Sequence, residues 1–176
     1  MGTIGIRKED KSRYERRAPL APEQMAQAVA RGLRFVVEPS PVRVFPDEEY
    51  RQAGAMVDPD LSAADLIMCV KEVPPQKILQ GKAYIFFSHT TKAQKKNMPM
   101  LRRLMDLKCV LIDYEKIADD KRRRLVFFGW HAGVAGMIDT LWVLGRRLAG
   151  GGTPFAAMRQ ALEYRDIAEA RRKSVV

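Results

Sequence analysis

Residues 65–70, 83–88 and 109–112 form apolar runs with almost no polar alternation. A strand with one wet face alternates, whereas a continuous run marks a strand covered on both faces, as in parallel sheets. Stretches of helical spacing separate these runs. In residues 97–107 the apolar positions Met100, Leu101, Leu104, Met105 and Leu107 share one helix face, with Pro99 tolerated near the start. The alternation predicts an α/β chain, a Rossmann-like, mostly parallel sheet flanked by helices.

The remaining elements follow from local signals. Residues 4–7 read as a first strand and 33–37 as a second, the latter ended by Pro39-Ser40-Pro41. Pro22 suits the first position of a helix closed by Gly32, and Pro46-Asp47-Glu48-Glu49 opens a shorter helix that stops near Gly54. Residues 124–128 read as a further strand and 130–149 as a long helix ended by Gly150-Gly151-Gly152. Thr153-Pro154 is expected to cap a last helical region through Arg172.

At 176 residues the chain is about one domain long. Its best apolar stretch, 133–144, holds Asp139 and falls short of the ~20 residues that a bilayer span requires. No membrane association is expected. The start lacks signal-peptide regions, so the expected compartment is the cytoplasm, or the mitochondrial matrix after loss of a transit peptide. Lys and Arg number 31 against 21 Asp and Glu, a net charge of +10 that attracts anions. The densest basic runs, Lys121-Arg122-Arg123-Arg124 and Arg171-Arg172-Lys173, read as a turn and a solvated helix end. Neither carries the aromatic interleaving of a nucleic-acid binder, so nucleic acid is not an expected partner.

Ligands of open parallel sheets bind outside the carboxyl ends of the strands. The residues that follow each predicted strand are therefore the informative ones. These are Lys8 and Glu9 with the Arg16-Arg17 pair, then Lys71-Glu72, His89-Thr90, and Asp113 with Glu115. His and Lys relay protons, and Arg clamps a carboxylate in a two-pronged contact, so the set suits acid–base work on an anionic substrate. Each residue taken singly reads more readily as loop surface, and only their shared place at strand ends raises the joint functional reading to an even one. Cys69 and Cys109 sit in apolar runs as reduced core thiols, and with His89 and His131 they show no metal-ligand spacing. The stretch Gly129 to Gly136 has the spacing GxxxGxxG rather than the dinucleotide GxGxxG. Its glycines, Gly129, Gly133 and Gly136, are expected to let a helix pack closely on the sheet.

Several motifs carry a family resemblance. Arg17-Ala18-Pro19-Leu20-Ala21-Pro22 resembles the R-x-A-L-T-P segment of alanine and saccharopine dehydrogenases. Val70-Lys71-Glu72 resembles their V/L-K-E motif, and Phe86-Phe87-Ser88-His89-Thr90 their F-S/A-H segment. Val37-Glu38-Pro39-Ser40, Leu111-Ile112-Asp113-Tyr114-Glu115-Lys116, Ala132-Gly133-Val134-Ala135-Gly136 and Thr153-Pro154-Phe155 extend the likeness. It is closest to the lysine–ketoglutarate reductase module of aminoadipic semialdehyde synthases.

The resemblance implies the substrate-binding part of an NAD(P)-dependent amino-acid oxidoreductase, which condenses an amino acid with a 2-oxo acid through an imine. By resemblance Lys71 and His89 are the catalytic acid–base pair, and Arg17 with Arg16 holds a substrate carboxylate. Glu72 and Glu115 belong to the same substrate site, flanking and tuning the pair. NAD or NADP is expected on a nucleotide-binding domain missing from this chain, with none bound by the chain alone. Residues 1–150 would be the substrate domain and 151–176 the helical start of the connection to the missing domain. Two departures stand out: His131 where relatives carry an aromatic residue, and Ala21 in place of Thr. The alternatives are an alanine dehydrogenase-like enzyme and a non-catalytic remnant that binds an amino acid or a protein partner.

Overall fold

A computed structural model describes residues 2–148 and 151–174. They form two compact units, Met1–Val126 and Phe127–Val176. The first is built on a sheet of six strands, β1 (Thr3–Ile6), β2 (Arg34–Val37), β3 (Met56–Val57), β4 (Leu66–Met68), β5 (Ala83–Phe86) and β6 (Val110–Asp113), in the order β3-β2-β1-β4-β5-β6. Every strand pair is parallel. Helices α1 (Pro22–Ala30), α2 (Asp47–Gln52) and α3 (Met98–Asp106) lie in the crossovers.

The apolar runs at 65–70 and 83–88 are explained by cores on both sides of the sheet, whereas the run at 109–112 is not covered on both faces: it forms the edge strand β6, on which Val110 and Ile112 stay exposed. On β2, Phe35 and Val37 join Ile6, Met25 and Tyr50 in one core. Val36, between them, joins Ile67, Cys69, Tyr84, Phe86, Met100 and Leu104 in the other. That is the period-2 geometry of a strand buried on both faces. Each such fully buried large side chain contributes roughly 1.5–3 kcal/mol. Pro22 starts α1 as expected, and Gly32 follows it with φ 89°, a left-handed conformation open to glycine at little cost.

Strand β3 was not foreseen, being two residues long and leaving little pattern to read. The expected strand at 124–128 is absent. Instead Arg124 forms a lone antiparallel bridge to Ala118, and Leu125 N–H donates to the Ile117 carbonyl at 2.9 Å. The cause is a turn organised by Asp119, whose carboxylate accepts the N–H groups of Lys121 and Arg123 at 3.0 and 2.8 Å. The segment therefore pairs with its own upstream residues rather than with the sheet.

The second unit holds the long helix α4 (Gly129–Arg147) and α5 (Ile167–Ser174). The expected helix break at Ala149 and Gly150 lies outside the described residues, while Gly152 takes φ 74°. The expected helical region from Thr153 is shorter than foreseen. Thr153 Oγ1 does accept the Phe155 N–H at 3.1 Å, but only a turn follows. The Tyr164 hydroxyl takes the Arg159 N–H and Asp139 takes the Ala161 N–H, so side chains displace the helical ladder there. A Cβ added at Gly133 or Gly136 meets no described atom within 4 Å, and at Gly129 only Phe127 at 3.9 Å. The tight glycine is Gly145, where a Cβ would lie 2.7 Å from the Phe155 carbonyl oxygen.

Candidate active site

Strand order reverses between β1 and β4, which opens a crevice at their carboxyl ends. Ile6 and Met68 pair at those ends. Across the crevice the buried Glu9 carboxylate accepts the N–H groups of Val70 at 2.6 Å and Lys71 at 3.0 Å. Burial pushes the Glu9 carboxyl above its ordinary value, and the two N–H donors offset only part of that. Glu9 thus fixes the backbone that carries Lys71.

Arg17 and Lys71 share an electrostatic neighbourhood. The Arg17 guanidinium donates to Glu15 through Nε at 2.7 Å and Nη2 at 2.6 Å, the two-pronged contact expected of an arginine on a carboxylate. Burial works to raise the Glu15 carboxyl, but the Arg17 bonds and the charges of Arg17 and Lys71 outweigh it and hold it low. The Arg17 guanidinium is held up foremost by Glu15, with the charge of Glu9 adding to it. Arg16 is engaged elsewhere, its Nε donating to the Val42 carbonyl at 3.2 Å and its own carbonyl accepting from Val44 N–H at 2.9 Å. It anchors the loop after β2.

The ends of β5 and β6 run in register, with Phe86 opposite Asp113. Three contacts follow like rungs. Phe87 and Tyr114 rings meet at 5.0 Å, the Ser88 hydroxyl donates to Asp113 Oδ2 at 2.5 Å, and His89 Nδ1 stands 3.5 Å from Glu115 Oε1. That last spacing is too long for a good hydrogen bond, and both His89 Nδ1 and Glu115 Oε2 are buried without a hydrogen-bond partner. A proton on the imidazole would be drawn toward that carboxylate. The Lys92 ammonium, bonded to Glu115 at 2.8 Å, holds the carboxyl below its ordinary value, aided by the charges of His89 and Arg124.

Glu72 accepts from Lys11 Nζ at 2.9 Å and from Asn97 Nδ2 at 3.3 Å. Burial opposes its ionisation, but Lys11 and Asn97 outweigh it and hold the carboxyl low. Asn97 Nδ2 also donates to the Ser88 carbonyl at 2.9 Å, tying the end of β4 to the end of β5. An open cleft of about 170 Å³ lies beside this junction, lined in part by Glu72, Lys11, Lys96 and Asn97.

The sequence-predicted residues thus divide. His89 and Glu115 are brought together, and Arg17 binds Glu15, whose carboxyl also feels the charge of Lys71. Glu72 is given to Lys11 and Asn97, and Arg16 to the loop after β2. Sequence reading placed Glu9 and Asp113 at strand ends but gave them no task, and it missed Glu15 and Asn97. The Glu15-x-Arg17 spacing was the one available signal. Nothing local marks Asn97, which depends on tertiary contact.

Among the described residues no group of His, Cys, Asp and Glu could hold a metal ion. Burial pushes the Cys69 thiol far up, so it stays protonated core. A pyrophosphate cradle needs a glycine turn after the first strand, whereas β1 runs into Arg7, Lys8 and the buried Glu9 carboxylate. Glycine Gly129 begins a helix, but the strand expected before it is missing. No helix among the described residues is long and apolar enough to cross a membrane.

The chain thus carries a doubly wound parallel α/β domain with Lys71 and His89 just after strands at its carboxyl edge. Residues 5–135 match the family model "Alanine dehydrogenase/PNT, N-terminal domain", and the chain belongs to that family. It is 42% identical over 169 residues to alpha-aminoadipic semialdehyde synthase, mitochondrial, of Rattus norvegicus, covering 95% of this chain and 18% of the relative. It is 36% identical over 140 residues to a saccharopine dehydrogenase (NAD(+), L-lysine-forming) of Candida glabrata, covering 76% of this chain and 37% of the relative. The chain therefore spans well under half the length of these relatives. A solved L-alanine dehydrogenase shares the fold with TM-score 0.68 at 22% identity, covering 98% of this chain and 51% of that one.

Proposed function

We propose that this chain is the substrate-binding part of an NAD(P)-dependent oxidoreductase that reductively condenses an amino acid with a 2-oxo acid, as in lysine–2-oxoglutarate reductase and saccharopine dehydrogenase. The observation that carries the reading is the pairing of His89 with Glu115 on the same sheet edge as Lys71, whose backbone Glu9 clasps. Forming an imine from an amine and a ketone requires protons to be removed from nitrogen and delivered to the departing oxygen. Lys71 and His89 supply those transfers, and Glu115 stands beside the His89 imidazole. Arg17 holds a substrate carboxylate, exchanging its contact with Glu15 for one with the substrate. Arg16 and Glu72 shape the surrounding loops.

The nicotinamide cofactor, NAD or NADP, supplies the reducing equivalent from a nucleotide-binding domain outside these residues. Residues 1–150 then carry the substrate site, and 151–176 begin the connection. The compartment that fits is the cytoplasm or the mitochondrial matrix, the rat relative being a mitochondrial protein.

The test is kinetic, in the chain joined to its nucleotide-binding domain. Lys71→Met and His89→Gln should each lower turnover by roughly 10²–10⁴, the range for a lost general acid or base. Substrate binding should weaken less. Near-normal turnover in both variants would remove the pair from the mechanism.

A further inference from the structure

We propose that Asp113 is the positioning residue of the candidate acid–base site, a single buried carboxylate that sets the His89 imidazole against the Glu115 carboxylate. The inference rests on the reading of His89 as a proton-handling group, and its geometry is independent of that reading.

Both Asp113 oxygens are committed, one to each partner's loop. Oδ2 accepts the Ser88 hydroxyl at 2.5 Å, and Oδ1 accepts the Glu115 N–H at 2.9 Å. A serine hydroxyl has one proton. Since Ser88 gives it to Asp113, the Thr90 hydroxyl must donate into Ser88 Oγ, 2.7 Å away. Thr90 N–H also donates to Ser88 Oγ, at 3.2 Å. The residues on either side of His89 are therefore tied to one hydroxyl, and that hydroxyl is tied to Asp113. Ser88 is fully buried, so no water competes for these bonds.

This restraint holds a conformation that the chain resists. His89 has φ 53°, in the left-handed region that a residue with a Cβ seldom adopts. Backbone in such a region persists where surrounding bonds over-determine it. Here the Ser88–Thr90–Asp113 network does so, and it aims the imidazole toward Glu115. The competing role for Asp113 is a plain cap on the turn at Tyr114–Lys116. A cap alone acts through Glu115 and leaves the Ser88 bond without effect on His89, so Ser88→Ala separates the two roles.

The chain has only two histidines, His89 and His131, so imidazole nitrogen–proton spectra of the 176-residue chain resolve the question with His131 as internal reference. Glu115→Gln should move the His89 ring resonances and leave those of His131 in place. In Asp113→Asn that response should be lost, and likewise in Ser88→Ala, which removes one oxygen and leaves the Glu115 N–H bond intact. If Asp113→Asn fails to fold, Ser88→Ala decides. In the enzyme completed with its nucleotide-binding domain, Ser88→Ala should lower kcat roughly 10- to 100-fold, the cost of a misplaced catalytic group, with the Michaelis constant unchanged. A His89 that ignores Glu115→Gln, or that still responds fully in Ser88→Ala, overturns the proposal. Full turnover of His89→Gln would instead sink the functional reading while the spectral coupling stood.

Discussion

Glu9 and Lys71 lie 62 residues apart in sequence, yet the Lys71 N–H donates to the Glu9 carboxylate at 3.0 Å while Val70 N–H takes its other oxygen. An amide offers one acceptor where the carboxylate offers two. Glu9→Gln should therefore strand one buried N–H and cost about 1–3 kcal/mol in urea unfolding. No measurable loss would mean the clasp contributes nothing to stability.

The acid response should have two limbs of opposite sign. Glu9 titrates above its ordinary value in the folded chain, so protonating it as pH falls through that raised value adds stability. Asp10, Glu15 and Glu72 are held low despite burial, by Arg7, Arg17 and Lys11 respectively. Their contribution is present above the ordinary carboxylate pKa, roughly 4, and is lost as pH falls through the lowered values. Stability should hold or rise slightly on mild acidification and then drop. In Glu9→Gln the upper limb should vanish and the drop remain, which stability curves against pH would show.

Arg17→Ala in the completed enzyme should raise the Michaelis constant for the 2-oxo acid by roughly 10- to 150-fold, given about 1.5–3 kcal/mol for a charge-assisted contact. Arg17→Lys should rescue it only partly, since a point charge cannot copy the planar fork. Equal use of pyruvate and 2-oxoglutarate would point to an alanine dehydrogenase-like substrate range instead.

Calorimetric titration of the chain with NADH or NADPH should give no binding in the low-micromolar range, because the end of β1 presents side chains where a phosphate cradle needs glycine. Tight binding of either nucleotide would overturn the division of labour between domains.

Glycines on α4 should behave in opposite ways. Gly145→Ala drives a Cβ into the Phe155 backbone and should destabilise by about 1–3 kcal/mol. Gly133→Ala meets open space and should gain up to roughly 1 kcal/mol of helix propensity. Thermal melts of the two variants should move in opposite directions.

The doubly buried strands were legible because burial on both faces removes polar residues from the sequence itself, as at Tyr84 and Phe86 in one core and Val37 in the other. The segment at 124–128 misled because its apolar residues look like a strand, whereas Asp119 folds it back on residues 117–119. Lys71, His89 and Glu115 were readable from their place after strands. The bond between Asp113 and Ser88 was not, since it depends on a hydroxyl 25 residues away reaching the carboxylate. Likewise the engagement of Arg16 with Val42 depends on a loop 26 residues further on.

Strand β6 ends the sheet order, so it is laddered to β5 on one side only. Edge elements of this kind open locally at lower free energy than the strands between them. Glu115 rides on the exit of that edge strand, whereas His89 leaves from β5, one place further in. Hydrogen exchange should accordingly find amides of 110–115 exchanging ahead of those of 83–88. The His89–Glu115 contact would then come apart through fraying at one margin of the domain, long before the fold itself is lost.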